Sequence, residues 1–172
     1  MQLITKEYLE LNKEKHQNSG YGIVGHYYSD EIVKLADKIG TRDLLDYGCG
    51  KSTLANALPF SIKQYDPAIK KYEHEPEPAD FVVSTDVMEH IEPECLDSVL
   101  KHIHSKTKKL FYCSISTTKA AKTLSDGRNA HLIVENLGFW STKIEMYFRI
   151  ISVYRMGNNL IVIAEPLALE IQ

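Results

Sequence analysis

Residues 43–54, Asp-Leu-Leu-Asp-Tyr-Gly-Cys-Gly-Lys-Ser-Thr-Leu, constrain the fold of this chain more than any other segment. The apolar pair Leu44 and Leu45 fits the centre of a parallel sheet, whose strands are covered on both faces. Gly48 and Gly50 lack a Cβ, so the backbone can turn sharply there and approach a ligand closely. The segment therefore predicts a buried strand, a glycine turn, and a helix whose N-terminal amides face that turn.

Two classes of ligand are bound by such a turn, and the sequence separates them. Residues 50–53, Gly-Lys-Ser-Thr, resemble the end of a phosphate-binding P-loop, but that motif needs a glycine five positions before Gly50, where Leu45 stands. The other class is the dinucleotide-like fingerprint Gly-x-Gly-x-x-Gly, whose third glycine is replaced here by Thr53. A nucleotide hydrolase therefore stays only as an alternative.

An acidic residue at the end of each of the first two strands strengthens the second interpretation. Asp46 stands two residues before Gly48, and Asp66 ends the next strand pattern, twenty residues after Asp46. A carboxylate at this place can accept hydrogen bonds from both hydroxyls of a ribose. The pattern Asp-x-Gly-x-Gly, with its second acid, resembles motif I of the class I S-adenosylmethionine (SAM)-dependent methyltransferases.

This resemblance implies an α/β fold: a Rossmann-like class I methyltransferase sheet with helices on both faces and a C-terminal antiparallel hairpin. It implies SAM as the cofactor, with the glycine turn packed against its methionine and ribose part. The cofactor-binding residues that we expect are Asp46, Gly48, Gly50, Asp66, Asp86 and Tyr21. In this family the segment before motif I often folds over the cofactor, which makes Tyr21 and Tyr28 candidates for a lid.

Length and composition indicate one globular domain. With 172 residues, of which 44% are hydrophobic and 25% charged, the chain can build a substantial core. We expect a single methyltransferase domain over 1–172, in which residues 1–40 form an N-terminal helical lid segment. The net charge of −3 gives no general attraction to nucleic acid.

Cysteine usage and hydropathy address the compartment. The chain has three cysteines and no Cys-x-x-Cys spacing, which argues against disulfides and against a thiolate zinc site. No apolar run reaches the length that a membrane span needs, and residues 1–15 are too polar for a signal peptide. We therefore expect a cytoplasmic protein without a membrane partner.

Periodicity and punctuation predict the remaining elements. Helices are expected over 5–16, 29–39, 52–58 and 93–104, and strands over 62–65, 79–85 and 110–115. Ser29 is the predicted N-cap of the second helix, and Gly40 ends it. Another helix is predicted to begin at His131, with an apolar face formed by Val134, Leu137, Trp140 and Ile144.

Two further segments bear on the sheet. Residues 149–164 are predicted to form a hairpin that turns at Gly-Asn-Asn. Its strands are apolar and are a candidate interface for a homodimer. The stretch 66–80 is short and holds three prolines, so the third strand of the family is expected to be short or missing. The residue that contacts adenine in the family comes from that strand, and for this chain we assign none.

A second group of chemically active residues follows the strand 79–85. Asp86, Glu89 and His90 leave its carboxyl end, where open α/β sheets bind ligands, and His131 follows the next strand. Residues three and four apart share one face of a helical turn, so Asp86 can lie beside both Glu89 and His90. Two carboxylates and two imidazoles would suit a divalent metal such as Mg²⁺ or Mn²⁺.

This group resembles the acid-x-x-Glu-His motif and later histidine of metal-dependent O-methyltransferases that modify small-RNA 3′ ends or ubiquinone precursors. Here the first acid is Asp86 where those enzymes usually have Glu, and the loop before His131 is shorter. The resemblance implies a metal that lowers the pKa of an acceptor hydroxyl. The alternative has no metal: His131 or His90 is then a general base, and Glu89 starts a helix.

Three motifs narrow the family further. Residues 65–69, 85–91 and 126–132 (Tyr-Asp-Pro-Ala-Ile, Thr-Asp-Val-Met-Glu-His-Ile and Asp-Gly-Arg-Asn-Ala-His-Leu) resemble small methyltransferase-domain proteins of phages and bacteria. Residues 86–89 lack the Asn-Pro-Pro-Tyr type of motif found in enzymes that methylate DNA amino groups. We therefore expect methyl transfer to a small-molecule or nucleic-acid acceptor, with a hydroxyl oxygen favoured. The alternative is a non-catalytic SAM-binding sensor or partner subunit.

Overall fold

The computed structural model describes residues 2–17 and 20–168. In this part of the chain the strands are β1 (Leu44–Tyr47), β2 (Lys63–Tyr65), β3 (Ala79–Thr85), β4 (Thr107–Ser116), β5 (Phe148–Met156) and β6 (Asn159–Pro166). They form one sheet in the order β2-β1-β3-β4-β6-β5. The first four strands run parallel, and β6 pairs antiparallel with both β4 and β5. The predicted fold class is confirmed.

The helices connect the strands and cover both faces of the sheet. They are α1 (Lys6–His16), α2 (Ser29–Lys38), α3 (Thr53–Ala57), α4 (Leu96–Lys106) and α5 (Leu137–Glu145). Short 3₁₀ turns occupy Gly25–Tyr28, Met88–His90 and Pro93–Cys95. All of the predicted helices over 5–16, 29–39, 52–58 and 93–104 are present, with shifted ends.

Two apolar layers lie on opposite faces of the sheet. Leu44 packs with α2 and α3, while its neighbour Leu45 packs with α4 and α5. Side chains alternate between the two faces of a strand, so a strand in which both neighbours are apolar and buried must be covered on both sides. This confirms the location predicted for the strand before the glycine turn.

Of the two predicted helix-end signals one is confirmed and one is wrong, and α1 has a cap that was not predicted. The Thr5 side chain caps α1 by accepting from the backbone N–H of Tyr8 at 3.2 Å. Gly40, with φ +66°, ends α2. Ser29 is not an N-cap: Tyr28 holds that place, and the Ser29 hydroxyl donates to the carbonyl of His26 at 2.9 Å.

The third strand of the family is missing, as the prolines predicted. Residues 66–78, all of which the structure describes, form turns and extended segments without a strand. Glu75, near the end of this stretch, accepts from His102 Nε2 at 2.9 Å, and the other ring nitrogen of His102 lies 2.8 Å from the Tyr47 hydroxyl. The buried imidazole of His102 thus links the segment between β2 and β3 to strand β1.

The helix predicted to begin at His131 begins six residues later. Residues 131–136 are irregular because their polar groups have other partners: the backbone N–H of His131 donates to the Asn129 side chain at 3.0 Å, and that of Ile133 donates to the carbonyl of Glu89 at 3.0 Å. The side chain of Asn136 then caps α5 by accepting from the backbone N–H of Phe139. Trp140 and Ile144 are buried as predicted, whereas Val134 and Leu137 are exposed.

The last two strands form the predicted hairpin, and β5 lies at the edge of the sheet. Its Ile151 side chain is half exposed. An edge strand with exposed apolar residues is a usual place for self-association, and the homodimer stays a prediction. Among the described residues, no helix is long and apolar enough to cross a membrane.

Candidate active site

A cleft opens at the carboxyl edge of the parallel strands. It holds about 980 Å³ of space, including open solvent at its mouth. Its walls come from the ends of β1, β2 and β3, from the turn before α3, and from α1, which lies over it. Ligands of open α/β sheets bind at this edge, so the cleft is the place to look for the cofactor.

The glycine turn is shaped by close approach of other parts of the chain. Gly48 has φ +84°, and a Cβ there would lie 2.4 Å from a methyl group of Val87. A Cβ on Gly50, where φ is +50°, would lie 2.8 Å from the carbonyl oxygen of Gly22. Real Cβ atoms do not come this close to other atoms, and L-residues rarely take these φ values. The packing of the protein itself therefore requires glycine at both positions, whether or not a ligand binds.

Asp66 lies at the end of β2, and backbone amides hold its carboxylate. The backbone N–H of Gly50 donates to Oδ2 at 3.0 Å, and that of Ala68 donates to Oδ1 at 2.9 Å. Nε2 of His16 lies 3.8 Å from Oδ2. Each carboxylate oxygen has two lone pairs, so each still has accepting capacity toward the cleft.

Asp46 is buried in the floor of the cleft beneath the glycine turn. Burial raises the pKa of its carboxyl to about 7, and the nearby charge of Asp66 adds to this effect. An acid that is costly to ionise in the free protein gains most from a cationic ligand, which would compensate its charge.

The raised pKa of Asp46 predicts how stability depends on pH. The folded protein holds this proton up to about pH 7, whereas the unfolded chain releases it near its ordinary value. Folding then takes up a proton at Asp46, so the contribution of this residue to the free energy of unfolding should fall as the pH rises from about 4 to 7, whereas His90, whose pKa is lowered, contributes in the opposite direction. Asp46→Asn should remove the Asp46 contribution and, relative to the unmodified protein, gain stability of a few kcal/mol at pH 8, as an order of magnitude. Urea unfolding at pH 5 and pH 8 measures both effects, and an unchanged slope would contradict the expectation.

Beside the cleft, the structure brings all four residues of the second predicted group together. One ligand atom from each of Asp86, Glu89, His90 and His131 lies within 4.8 Å of the others. Asp86 ends β3, Glu89 and His90 lie in the following 3₁₀ turn, and His131 arrives from the loop after β4. Asp86 and His90 also line the cleft. We call these four residues the carboxylate–histidine centre.

The two imidazoles are oriented by backbone carbonyls. Nδ1 of His90 lies 2.7 Å from the carbonyl oxygen of Ala130, and Nδ1 of His131 lies 2.5 Å from that of Thr118. A carbonyl only accepts, so each Nδ1 carries the proton and leaves Nε2 with a free lone pair. Burial lowers the pKa of His90 to about 4, which keeps its ring neutral. Metal-binding histidines are commonly held in this way.

Glu89 is the most deeply buried acid of the centre. Its Oε1 accepts from the backbone N–H of Ser116 at 2.6 Å, while Oε2 is buried and has no hydrogen-bond partner among the described residues. Burial and the charge of Asp86 raise the pKa of Glu89 well above its usual range. A buried carboxylate oxygen without a partner is costly unless a proton or a cation binds it.

Asp86 adopts a strained backbone conformation. Its φ is +59°, and Ser52 is the other non-glycine residue in the described part of the chain with positive φ. The backbone N–H of Asp86 donates to the carbonyl and the hydroxyl of Ser114, at 3.0 and 3.1 Å. Strain of this kind persists where the surroundings hold it, and it is common at functional sites.

Tyr21 lies between His16, which is next to Asp66, and His90 of the carboxylate–histidine centre. Its ring centroid is 5.1 Å from that of His16 and 5.8 Å from that of His90. Its hydroxyl lies 3.5 Å from Nδ1 of His90, and burial raises its pKa, so the hydroxyl stays neutral. Tyr28, the other lid candidate, is buried in the core, where its hydroxyl accepts from the Asn159 amide at 2.8 Å.

Sequence reasoning missed the face of α1 that lines the cleft. Tyr8, Asn12 and His16 are spaced four residues apart and all line it. Their spacing places them on one side of a helix, and this signal was present in the sequence. The resemblance predicted that residues 1–40 fold over the cofactor as a lid, but it did not indicate which side of the helix faces the cleft.

Helix α1 is bound to both ends of the site. The Thr5 backbone N–H and hydroxyl donate to the carboxylate of Glu92 at 2.9 and 2.7 Å, and the Tyr8 hydroxyl donates to the carbonyl of His90 at 2.6 Å. Lys15 donates to the carbonyl of Thr123, in the loop that precedes His131. The first helix therefore contacts the segments that supply both histidines of the centre.

Fold and site together define the class: a Rossmann-like sheet with an Asp-x-Gly-x-Gly turn and an acid after β2 is that of the class I SAM-dependent methyltransferases. The family model described as "Methyltransferase domain" matches residues 18–149. The chain belongs to this methyltransferase family, which confirms the enzyme class predicted from the sequence. Among curated proteins, no sequence matches the chain.

Solved structures with this fold act on very different acceptors. The Burkholderia thailandensis 1,6-didemethyltoxoflavin-N1-methyltransferase, bound to S-adenosylhomocysteine, has 14% identity and a TM-score of 0.63, over 93% of this chain and 89% of that chain. The Synechocystis magnesium protoporphyrin IX methyltransferase has 15% identity and a TM-score of 0.60, over 92% and 94%. An Escherichia coli rRNA methylase has 14% identity and a TM-score of 0.58, over 95% and 78%. Their likeness is one of fold.

Proposed function

We propose that the protein transfers the methyl group of SAM to a hydroxyl oxygen of a small-molecule or nucleic-acid acceptor, with Mg²⁺ or Mn²⁺ held by the carboxylate–histidine centre. One observation carries the proposal: the centre adjoins the cleft that contains the motif I acids. Asp86 and His90 belong to both.

The charge of the cleft supports SAM as the cofactor. The described residues that line it include the acids Asp46, Asp66, Asp86 and Glu92, and no lysine or arginine. SAM carries a positive sulfonium and a positive ammonium group, so a carboxylate-lined, partly enclosed cleft favours it. Asp66 would accept from the ribose hydroxyls, and Asp46 lies under the turn that would contact the methionine part.

The donor set of the centre fits a divalent metal. The buried Oε2 of Glu89 has no hydrogen-bond partner among the described residues and can bind a cation in place of a proton, and both imidazoles have an unprotonated Nε2 because carbonyls bind their Nδ1 protons. Asp86 completes a set of two oxygens and two nitrogens. When bound, a divalent metal there would act as a Lewis acid that lowers the pKa of the acceptor hydroxyl.

The residues of the chain have separate tasks in this reaction. Asp46, Asp66 and the glycine turn would hold the cofactor, and Tyr21 lies between the cofactor end and the centre. Helix α1 covers the cleft and would exclude water from it. If no metal binds, Nε2 of His131 or His90 is the group available to take the hydroxyl proton.

Calorimetric titration with SAM and S-adenosylhomocysteine, with and without Mn²⁺, tests the proposal. We expect micromolar binding of both compounds, together with separate binding of Mn²⁺ to the protein. Cofactor binding without metal binding would leave the histidines as general bases. Absence of cofactor binding would overturn the assignment of the cleft.

Asp66→Ala should reduce the affinity for S-adenosylhomocysteine by about a hundredfold, because two hydrogen bonds from ribose hydroxyls to a carboxylate are lost. Calorimetry measures this effect directly. Asp66→Asn keeps one oxygen as an acceptor for the backbone N–H of Ala68, whereas its amide nitrogen cannot accept from Gly50, so it controls only for loss of the Ala68 contact. It should bind with intermediate affinity, and an unchanged affinity in Asp66→Ala would sink the ribose assignment.

A further inference from the structure

Part of the cleft lining is apolar and adjoins the core layer on the side of the sheet that α4 covers; we call this part the apolar slot. The slot is lined by side chains from the N-terminal segment, the ends of β1 and β2, the turn after β3 and α4: Leu3, Ile4, Tyr47, Tyr65, Ile91 and Val99. The rings of Tyr47 and Tyr65 lie 4.9 Å apart, and Tyr47 is fixed by its hydroxyl contact with His102. The walls of the slot are therefore largely apolar.

Residues before α1 form one side of this slot. Between β2 and β3 the chain sends only Asp66, Pro67 and Ala68 to the cleft, because the third strand is missing. Leu3 packs against the core layer formed with α4, and Thr5 binds Glu92 with two hydrogen bonds. Since Thr5 donates to both carboxylate oxygens of Glu92, that acid anchors the segment at the wall of the cleft.

We infer that Leu3 and Ile4 complete the subsite for the adenine ring, in the place of the missing third strand. The inference rests on the proposed use of SAM. The slot includes Tyr65 at the end of β2, the residue before the acid that would hold the ribose. His131 follows β4, which lies on the other side of β1 and β3 from β2. The slot is therefore on the ribose side of the cleft. A flat purine fits between apolar and aromatic walls, and cofactor sites are generally lined by such side chains.

The test compares ligands that share the adenine ring. In Leu3→Ser/Ile4→Ser, the affinities for S-adenosylhomocysteine and for 5′-methylthioadenosine should both fall, by about tenfold and by equal factors, because both lose the same apolar contact. Ile151→Ser, which changes a half-exposed isoleucine on the edge strand, is the matched control and should leave both affinities unchanged.

The outcomes separate this inference from the proposed function. If the unmodified protein binds neither compound, the proposed function fails. If it binds both and the double variant binds them equally well, the adenine lies elsewhere and the inference fails. A methyl NMR experiment on the unmodified protein gives a second readout: nuclear Overhauser contacts between the Ile4 methyl groups and adenine protons are expected, and their absence with bound ligand would overturn the placement.

Discussion

Glu89→Gln should weaken metal binding and methyl transfer while leaving the fold and the cofactor affinity intact. The amide oxygen can still accept from the backbone N–H of Ser116, so the buried hydrogen bond at 2.6 Å has a replacement. The amide lacks the negative charge that the unpartnered Oε2 offers to a cation. We expect the affinity for Mn²⁺ to fall by at least about tenfold, with a larger loss of activity.

Electron paramagnetic resonance of Mn²⁺ measures this loss without knowledge of the acceptor. Asp97→Asn, which neutralises an exposed acid paired with Lys143 at 2.9 Å, is the control and should leave Mn²⁺ binding unchanged. If Glu89→Gln binds Mn²⁺ as tightly as the unmodified protein, the carboxylate–histidine centre is not a metal site. In that case the histidines act as bases, or the four residues are structural.

Among substitutions that add one methyl group to the glycine turn, Gly48→Ala should lower the free energy of unfolding most. The new Cβ would lie 2.4 Å from a Val87 methyl, and the residue would also have to adopt φ +84°. Gly157→Ala is the matched control, because φ there is +60° and no atom lies within 4 Å of the added Cβ. The strain of a positive φ costs about 1–2 kcal/mol at either position.

The overlap with Val87 should add a further cost of about 1–3 kcal/mol at Gly48 alone. Urea unfolding of the two variants measures the difference. Gly48→Ala/Val87→Ala should recover part of the lost stability, because the two methyl groups in the way are removed. Equal destabilisation by Gly48→Ala and Gly157→Ala would show that Val87 moves aside freely.

The parallel part of the fold could be predicted because its signals are local. The paired leucines before Gly48, the β-branched strand 79–85 and the prolines of 66–80 each specify their own structure, with little need of the rest of the chain. The helix at His131 failed for the opposite reason. Its residues have an apolar helical spacing, but Asn129 and the carbonyl of Glu89 bind their backbone amides.

The site was predictable where residues belong to one motif and not where they arrive from afar. Asp46, Asp66 and the group Asp86, Glu89 and His90 could be placed because strand ends meet at one edge of a parallel sheet. Glu92 and His16 could not, since their meaning depends on how α1 docks. The roles of the glycines were only partly predicted. The sequence indicated that a ligand approaches the turn closely, whereas contacts with Val87 and Gly22 within the protein already require glycine at these positions.

The docking of α1 has a consequence for how the protein is made. Its partners Glu92 and Ser125 lie 87 and 111 positions from the residues that they bind. During synthesis on the ribosome, α1 therefore emerges long before any surface exists on which it can settle. Contacts of such long sequence separation form late and slowly. The cleft should thus mature only after Glu92 and Ser125 have emerged, and a nascent chain that stops before Glu92 should bind no cofactor.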